Sequence, residues 1–99
     1  MVSATLVLSE KLVLAENASA ELVVWRLPEP ARGSDHYFKY RLALIVDDVC
    51  VIRYDNEAGK GDHKHVGDQQ FPYDFVGIAS LRRDFLLEAR GWLEGNGDH

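Results

Sequence analysis

Cysteine is almost missing from this chain: Cys50 stands alone. One thiol makes no internal disulfide and cannot supply a cysteine-based zinc site. It lies in the apolar run Val49-Cys50-Val51-Ile52, where a buried, inert thiol is the expectation. Lack of a disulfide framework fits a reducing compartment. Long hydrophobic runs are missing too. No stretch approaches the roughly 18 apolar residues that a membrane-spanning helix requires. Met1-Val2-Ser3-Ala4 lacks a basic start, and Glu10 and Lys11 interrupt the apolar stretch that follows, so no signal peptide is read and the cytoplasm is the expected location. Basic residues are in deficit, 11 Lys and Arg against 16 Asp and Glu, for a net charge of −5. That balance argues against wholesale coating of nucleic acid. It leaves room for a local basic groove or a basic partner segment.

The composition is otherwise that of a folded globular chain, 46% hydrophobic and 27% charged. Its 99 residues suit one domain, able to bury roughly 60–70% of its unfolded surface.

An N-terminal hairpin is expected over 4–27. Leu6-Val7-Leu8 and Leu12-Val13-Leu14 flank a polar break, Glu16-Asn17-Ala18-Ser19 supplies turn residues, and Glu21 to Leu27 is rich in β-formers. Pro28-Glu29-Pro30 ends that strand. A second hairpin is expected over 36–56, its strands joined by a two-residue turn at Asp47-Asp48. This turn sets a register. Val46 opposes Val49, Leu44 opposes Val51, Leu42 opposes Arg53 and Tyr40 opposes Asp55 on one face. Ile45 and Cys50, Ala43 and Ile52, Arg41 and Tyr54, Lys39 and Asn56 pair on the other. A motif loop over 57–66 includes His63-Lys64-His65-Val66, readable as a short strand with both imidazoles on one side. Residues 67–73 read as irregular. Ile78, Leu81, Phe85, Ala89 and Trp92, widened by Leu86 and Leu93, recur at helical spacing and predict a helix over 78–94 that ends at Gly95-Asn96-Gly97. Trp25, Trp92 and Phe85 read as core or partner surface, and Arg82 and Arg83 as a solvated helix face. The expected class is α+β: a curled antiparallel sheet of two hairpins plus a short strand, with the C-terminal helix packed on one face.

The chemistry concentrates between Arg53 and His65, in Arg53-Tyr54-Asp55-Asn56-Glu57-Ala58-Gly59-Lys60-Gly61-Asp62-His63-Lys64-His65. Together with Lys39-Tyr40-Arg41, Trp25-Arg26-Leu27-Pro28 and the helix around Phe85, this string resembles the TumE family of bacterial toxin–antitoxin proteins over roughly residues 20–93. The resemblance implies a small cytoplasmic toxin neutralised by a cognate antitoxin protein. It carries no assigned catalytic set, so roles come from residue chemistry.

Metal-independent RNA cleavage needs a base for the 2′-hydroxyl, an acid for the leaving oxygen and cations for the phosphorane charge. His63 and His65 suit the proton transfers. Lys39, Arg41, Arg53 and Lys60 suit the phosphate, Lys60 sitting between two glycines that let backbone approach. Tyr40 or Tyr54 is a candidate for stacking on a base. Asp55, Asn56 and Asp62 are supporting groups. The P-loop pattern fails, with Tyr54 where its first glycine belongs. In the alternative, Asp62, His63 and His65 with Asp55 hold Zn²⁺ or Mn²⁺. The neighbouring lysines oppose a cation, so neither metal nor other cofactor is expected. His36 and His99 have nothing around them in the sequence to build a site. Between 36 and 65 the charges balance, Lys39, Arg41, Arg53, Lys60 and Lys64 against Asp47, Asp48, Asp55, Glu57 and Asp62. A basic site therefore requires the turn aspartates at the far end of the hairpin. RNA and an antitoxin are the expected partners, with a homodimer through an exposed sheet edge a further option. A non-catalytic module that blocks a protein or ribosomal surface is the rival from another class.

Overall fold

The β-forming runs pair strictly in chain order. The computed structural model, which describes residues 3–57 and 59–96, contains β1 (Thr5–Ala15), β2 (Ala18–Arg26), β3 (Phe38–Val46), β4 (Val49–Asp55), β5 (His63–Val66), β6 (Gln69–Pro72) and α1 (Ile78–Asn96). The six strands form one open antiparallel sheet in the order β1 to β6. The α+β class with a C-terminal helix is thus the observed one. Ala58, Gly97 and His99, on which parts of the sequence reading fell, lie outside the described residues.

Three tight turns make the meander possible. Asp47 and Asp48 both take positive φ, 52° and 65°, as the mirror-image hairpin turn demands. Glu16-Asn17 closes the first hairpin, where Ala15 pairs with Ala18. These two turns are tied together, with the Asp47 amide donating to Asn17 O and Asn17 Nδ2 donating to Asp47 Oδ1. Gly67-Asp68 joins β5 to β6, Gly67 supplying φ of 63°. β1 runs through Ser9-Glu10-Lys11 without a break.

Side chains alternate across a strand, and here alternation sorts the even-numbered positions of β2 to β4 onto one face. Ala20, Leu22, Val24, Tyr40, Leu42, Leu44, Ile52 and Tyr54 pack there against Leu81, Phe85, Leu86 and Ala89 of α1. Each large apolar side chain fully buried in this layer stabilises by roughly 1.5–3 kcal/mol. Polar contacts pin the helix at both ends of the sheet. Arg82 donates from Nε and Nη2 to the two carboxylate oxygens of Glu10 on β1 at 2.6 and 2.9 Å. Tyr54 Oη and Lys64 Nζ both donate to Glu88 Oε1. Arg82 is therefore a clamp, where the sequence suggested a solvated face.

Four further expectations change. The β3–β4 register holds at the turn, with Val46 on Val49 and Ile45 on Cys50, then shifts at a bulge between Leu44 and Ile45. Beyond it Leu44 pairs with Ile52, Leu42 with Tyr54, Ala43 with Arg53 and Arg41 with Asp55. One extra residue on the bulged strand moves every later side chain to the other face. The slip is what keeps Tyr40, Leu42 and Tyr54 in the core and sends Arg41, Arg53 and Asp55 to the helix-free face. Residues 69–72, expected to be irregular, form β6. The helix continues through Gly95 to Asn96. Cys50 is exposed rather than buried. Among the described residues no helix is long and apolar enough to cross a membrane.

Candidate functional site on the helix-free face

Two polar clusters lie at the open end of the β3–β4 hairpin, one on each side of the sheet. Asp62 and His63 are sequence neighbours, yet they join different clusters, as alternation requires.

On the helix side, Asp62 accepts hydrogen bonds from Ser34 Oγ, from His36 Nε2 at 2.7 Å and from Tyr40 Oη at 2.7 Å. The Phe38 amide donates to His36 Nδ1, so that nitrogen carries the lone pair and Nε2 carries the hydrogen given to Asp62. Phe75 stacks on the His36 ring with centroids 4.0 Å apart. Asn56 closes the cluster. Its Oδ1 accepts from the Tyr40 amide, and its Nδ2 donates to Phe38 O and Ser34 Oγ. Burial first, then the bond to Asp62, raises the Tyr40 phenol above its ordinary pKa. This cluster fastens the 27–37 loop to β3 and β5. The loop is also held by contact between two glycine segments. Gly33 has φ of 80°, and a Cβ added there would lie 2.6 Å from the Gly61 nitrogen.

On the opposite face, four residues of the motif converge. β4 and β5 pair Asp55 with His63 and Arg53 with His65. Asp55 Oδ1 lies 2.9 Å from His63 Nε2. Asp55 Oδ2 lies 2.6 Å from Arg53 Nε, an ion-pair distance at which the N–H is not aligned for a hydrogen bond. His63 Nδ1 faces Gly61 O at 3.0 Å. A carbonyl only accepts, so Nδ1 is a donor, and Nε2 is left to face the carboxylate. The His65 ring meets that of His63 edge to face at 4.9 Å. His65 Nε2 is buried and makes no hydrogen bond. Burial, then the charges of Arg53 and His63, lower its pKa below the ordinary value, which keeps its lone pair free near neutrality.

The electrostatics follow from the register. Asp47 and Asp48 sit at the far turn, Asp62 is saturated by its three donors on the other side, and Lys64 pairs with Glu88 beneath the helix. Beside Asp55 this leaves Arg53, ion-paired with it, and Arg41, its partner across β3 and β4. Arg41 is only loosely held, its Nε 3.9 Å from Glu57 with both side chains exposed; such surface pairs are worth about 0–1 kcal/mol. Lys39, Asn56, Glu57 and Gly59 line a cleft of about 300 Å³ with Arg32. Lys60, Asp62 and His63 line another of about 290 Å³ that reaches the β6 edge.

Of the residues singled out in the sequence, Asp55, His63, His65 and Arg53 come together; Arg41 pairs opposite Asp55, Lys60 shares a cleft with His63, and Lys39 lines a separate cleft. Three fall elsewhere. Tyr54 is 2% exposed, packed edge-on against Phe85, and its burial and its bond to Glu88 raise its pKa; it cannot stack on a base. Asn56 is an internal brace. Asp62 serves the helix-side cluster and is not a fourth ligand beside His63 and His65. His36 and Ser34, which the sequence gave no reason to single out, are central to that cluster. Only the long-range pairing of residue 62 with the 34–40 segment reveals them.

A family model described as Toxin TumE matches residues 3–93. The chain belongs to the TumE toxin family. Membership supports a toxin role and implies an antitoxin as partner. The match extends over all six strands and most of the helix, so both polar clusters fall inside the TumE-matched region. No curated protein and no solved structure matches the chain.

Proposed function

We propose that this TumE-family chain inhibits growth by cleaving RNA in the cytoplasm, through acid–base chemistry on the helix-free face. The observation that carries the reading is the Asp55–His63 contact beside His65. His63 sits between two acceptors, the Asp55 carboxylate and Gly61 O, so that both ring nitrogens face groups that accept a hydrogen. It is the acid that protonates the leaving oxygen. His65, with its enclosed, unpaired Nε2, is the partner that takes the proton from the 2′-hydroxyl. Two imidazoles in contrasting surroundings are what divided acid and base roles require. Arg53 covers the pair with its side chain about a third exposed, and moving its guanidinium from Asp55 to a phosphate both opens the site and stabilises the phosphorane. Lys39, Arg41 and Lys60 are positioned to hold flanking phosphates.

The test is growth inhibition by wild type, His63→Ala and Arg53→Ala at matched expression, with the fold checked by circular dichroism. Loss of inhibition in both folded variants supports the assignment; full inhibition by both removes it.

The non-catalytic rival has one observation in its favour. Leu6 pairs with Trp25, and Leu6, Val7 and Trp25 are 48%, 43% and 38% exposed, an apolar end of the sheet that suits protein contact. Stoichiometry separates the two readings, since a nuclease destroys many RNAs per chain and a blocker needs about one chain per target.

A further inference from the structure

We propose that Asp55, His63 and His65 form a binding site for a divalent transition-metal ion of the zinc class. Their carboxylate oxygen and two imidazole nitrogens all lie within 4.8 Å of one another. The cross-strand pair stands 2.9 Å apart, and it must part only slightly to reach the roughly 3.3–3.6 Å that separates two tetrahedral donors at about 2.0–2.2 Å from one ion. Small side-chain rotations bring in the third.

Three details of the site go beyond mere proximity. Metal-binding histidines almost always donate their other ring N–H to a carbonyl or carboxylate, which fixes the tautomer. His63 has this contact, Nδ1 against Gly61 O, and so aims Nε2 at Asp55. The second oxygen of the carboxylate is held by an ion pair, Arg53 Nε lying 2.6 Å from Asp55 Oδ2. His65 Nε2 is a buried polar atom with no partner, a state that costs free energy unless a ligand completes it. Three protein donors leave a fourth coordination position for a further ligand once the Arg53 side chain moves aside, the pattern of reactive rather than structural zinc sites. Asp62 takes no part, because its oxygens are turned to Ser34, His36 and Tyr40.

The proposal concerns the residues of the cleavage site and rests on that reading only for its consequence. An ion on His63 Nε2 and His65 Nε2 occupies the nitrogens that would carry protons, so metal binding and acid–base chemistry exclude each other.

The experiment uses the full chain stripped with a chelator and titrated with Co²⁺, read by visible ligand-field absorption and calorimetry. We expect one ion per chain with bands of low coordination number, and displacement by Zn²⁺. His65→Ala and Asp55→Asn, each confirmed folded, should weaken binding by more than the roughly 10–100-fold that loss of a supporting contact costs. Cys50→Ser should bind as wild type does, although Cys50 lines a small cleft with Arg53 and His65. Absence of Co²⁺ bands, or binding unchanged in His65→Ala, overturns the site. RNA cleavage by loaded and stripped chain is scored separately. Slower cleavage by the loaded form is expected, and faster cleavage overturns the exclusion. Should neither form cut RNA while Co²⁺ binds as expected, the cleavage reading fails and the metal site stands.

Discussion

Asp55 and His63 face each other directly across β4 and β5, carboxylate Oδ1 2.9 Å from imidazole Nε2. The bulge between Leu44 and Ile45 turns this pair away from the helix. Without that bulge Asp55 would point into the core beside Tyr40, and Arg53 would lie on the opposite face from Lys39 and Arg41. The candidate site is therefore a product of register, and its position follows from one irregularity in one hairpin.

Removing His63 should abolish chemistry and spare the fold. His63→Ala removes the proposed proton carrier and leaves the Asp55–Arg53 ion pair in place. Cleavage should fall by about 10²–10⁴-fold, the range for general acid or base catalysis. Turnover of a labelled RNA by purified variant and wild type checks this, with circular dichroism as the control.

Asp62 should matter to stability more than His63 does. It accepts from Ser34, His36 and Tyr40, and Asp62→Ala leaves those half-buried to buried donors unpaired. Their lost bonds should cost about 2–4 kcal/mol, read as a lower urea midpoint. A midpoint equal to that of wild type would show that the helix-side cluster does not hold the loop.

Gly33→Ala should damage the same loop by sterics alone. The residue sits at φ of 80°, and its new Cβ would meet backbone of Gly59 and Gly61. Because backbone and not a flexible side chain is in the way, the loop must shift, at a cost of order 1–3 kcal/mol. Equilibrium unfolding measures it.

The clamp between β1 and α1 should show in acid. Hydrogen bonding from Arg82 lowers the Glu10 pKa below its ordinary 4.5. A carboxyl whose folded pKa is depressed adds stability that is present above its unfolded pKa and is lost as pH falls through the folded one. Arg82→Gln should therefore lower the Tm at pH 7, and its gap from wild type should close once the pH is well below about 4. A gap independent of pH would contradict the ion-pair account.

Much of this architecture is legible from local signals. Asp47-Asp48 announces its turn because few residues tolerate paired positive φ, and the stripe Ile78, Leu81, Phe85 and Ala89 announces the helix. The polar density from Arg53 to His65 marks the site region. What escapes is long-range. The bulge has no glycine to betray it. β6 is short, polar and ends in Pro72, so it resembles a loop until β5 is there to pair with. Tyr54 reads equally as a stacking ring or a core ring, and the register decides. Cys50 next to an exposed turn behaves as turn-proximal surface despite its apolar neighbours. His36 looks isolated because its partner Asp62 is 26 positions away.

The central claim is that the helix-free face cuts RNA, and one measurement addresses it most directly. Wild type and His63→Ala are induced to equal levels, and total cellular RNA is mapped for new 5′ ends. Growth arrest with new ends is expected for wild type, and neither for His63→Ala. Growth arrest by wild type without new ends, or identical ends from both chains, would contradict it.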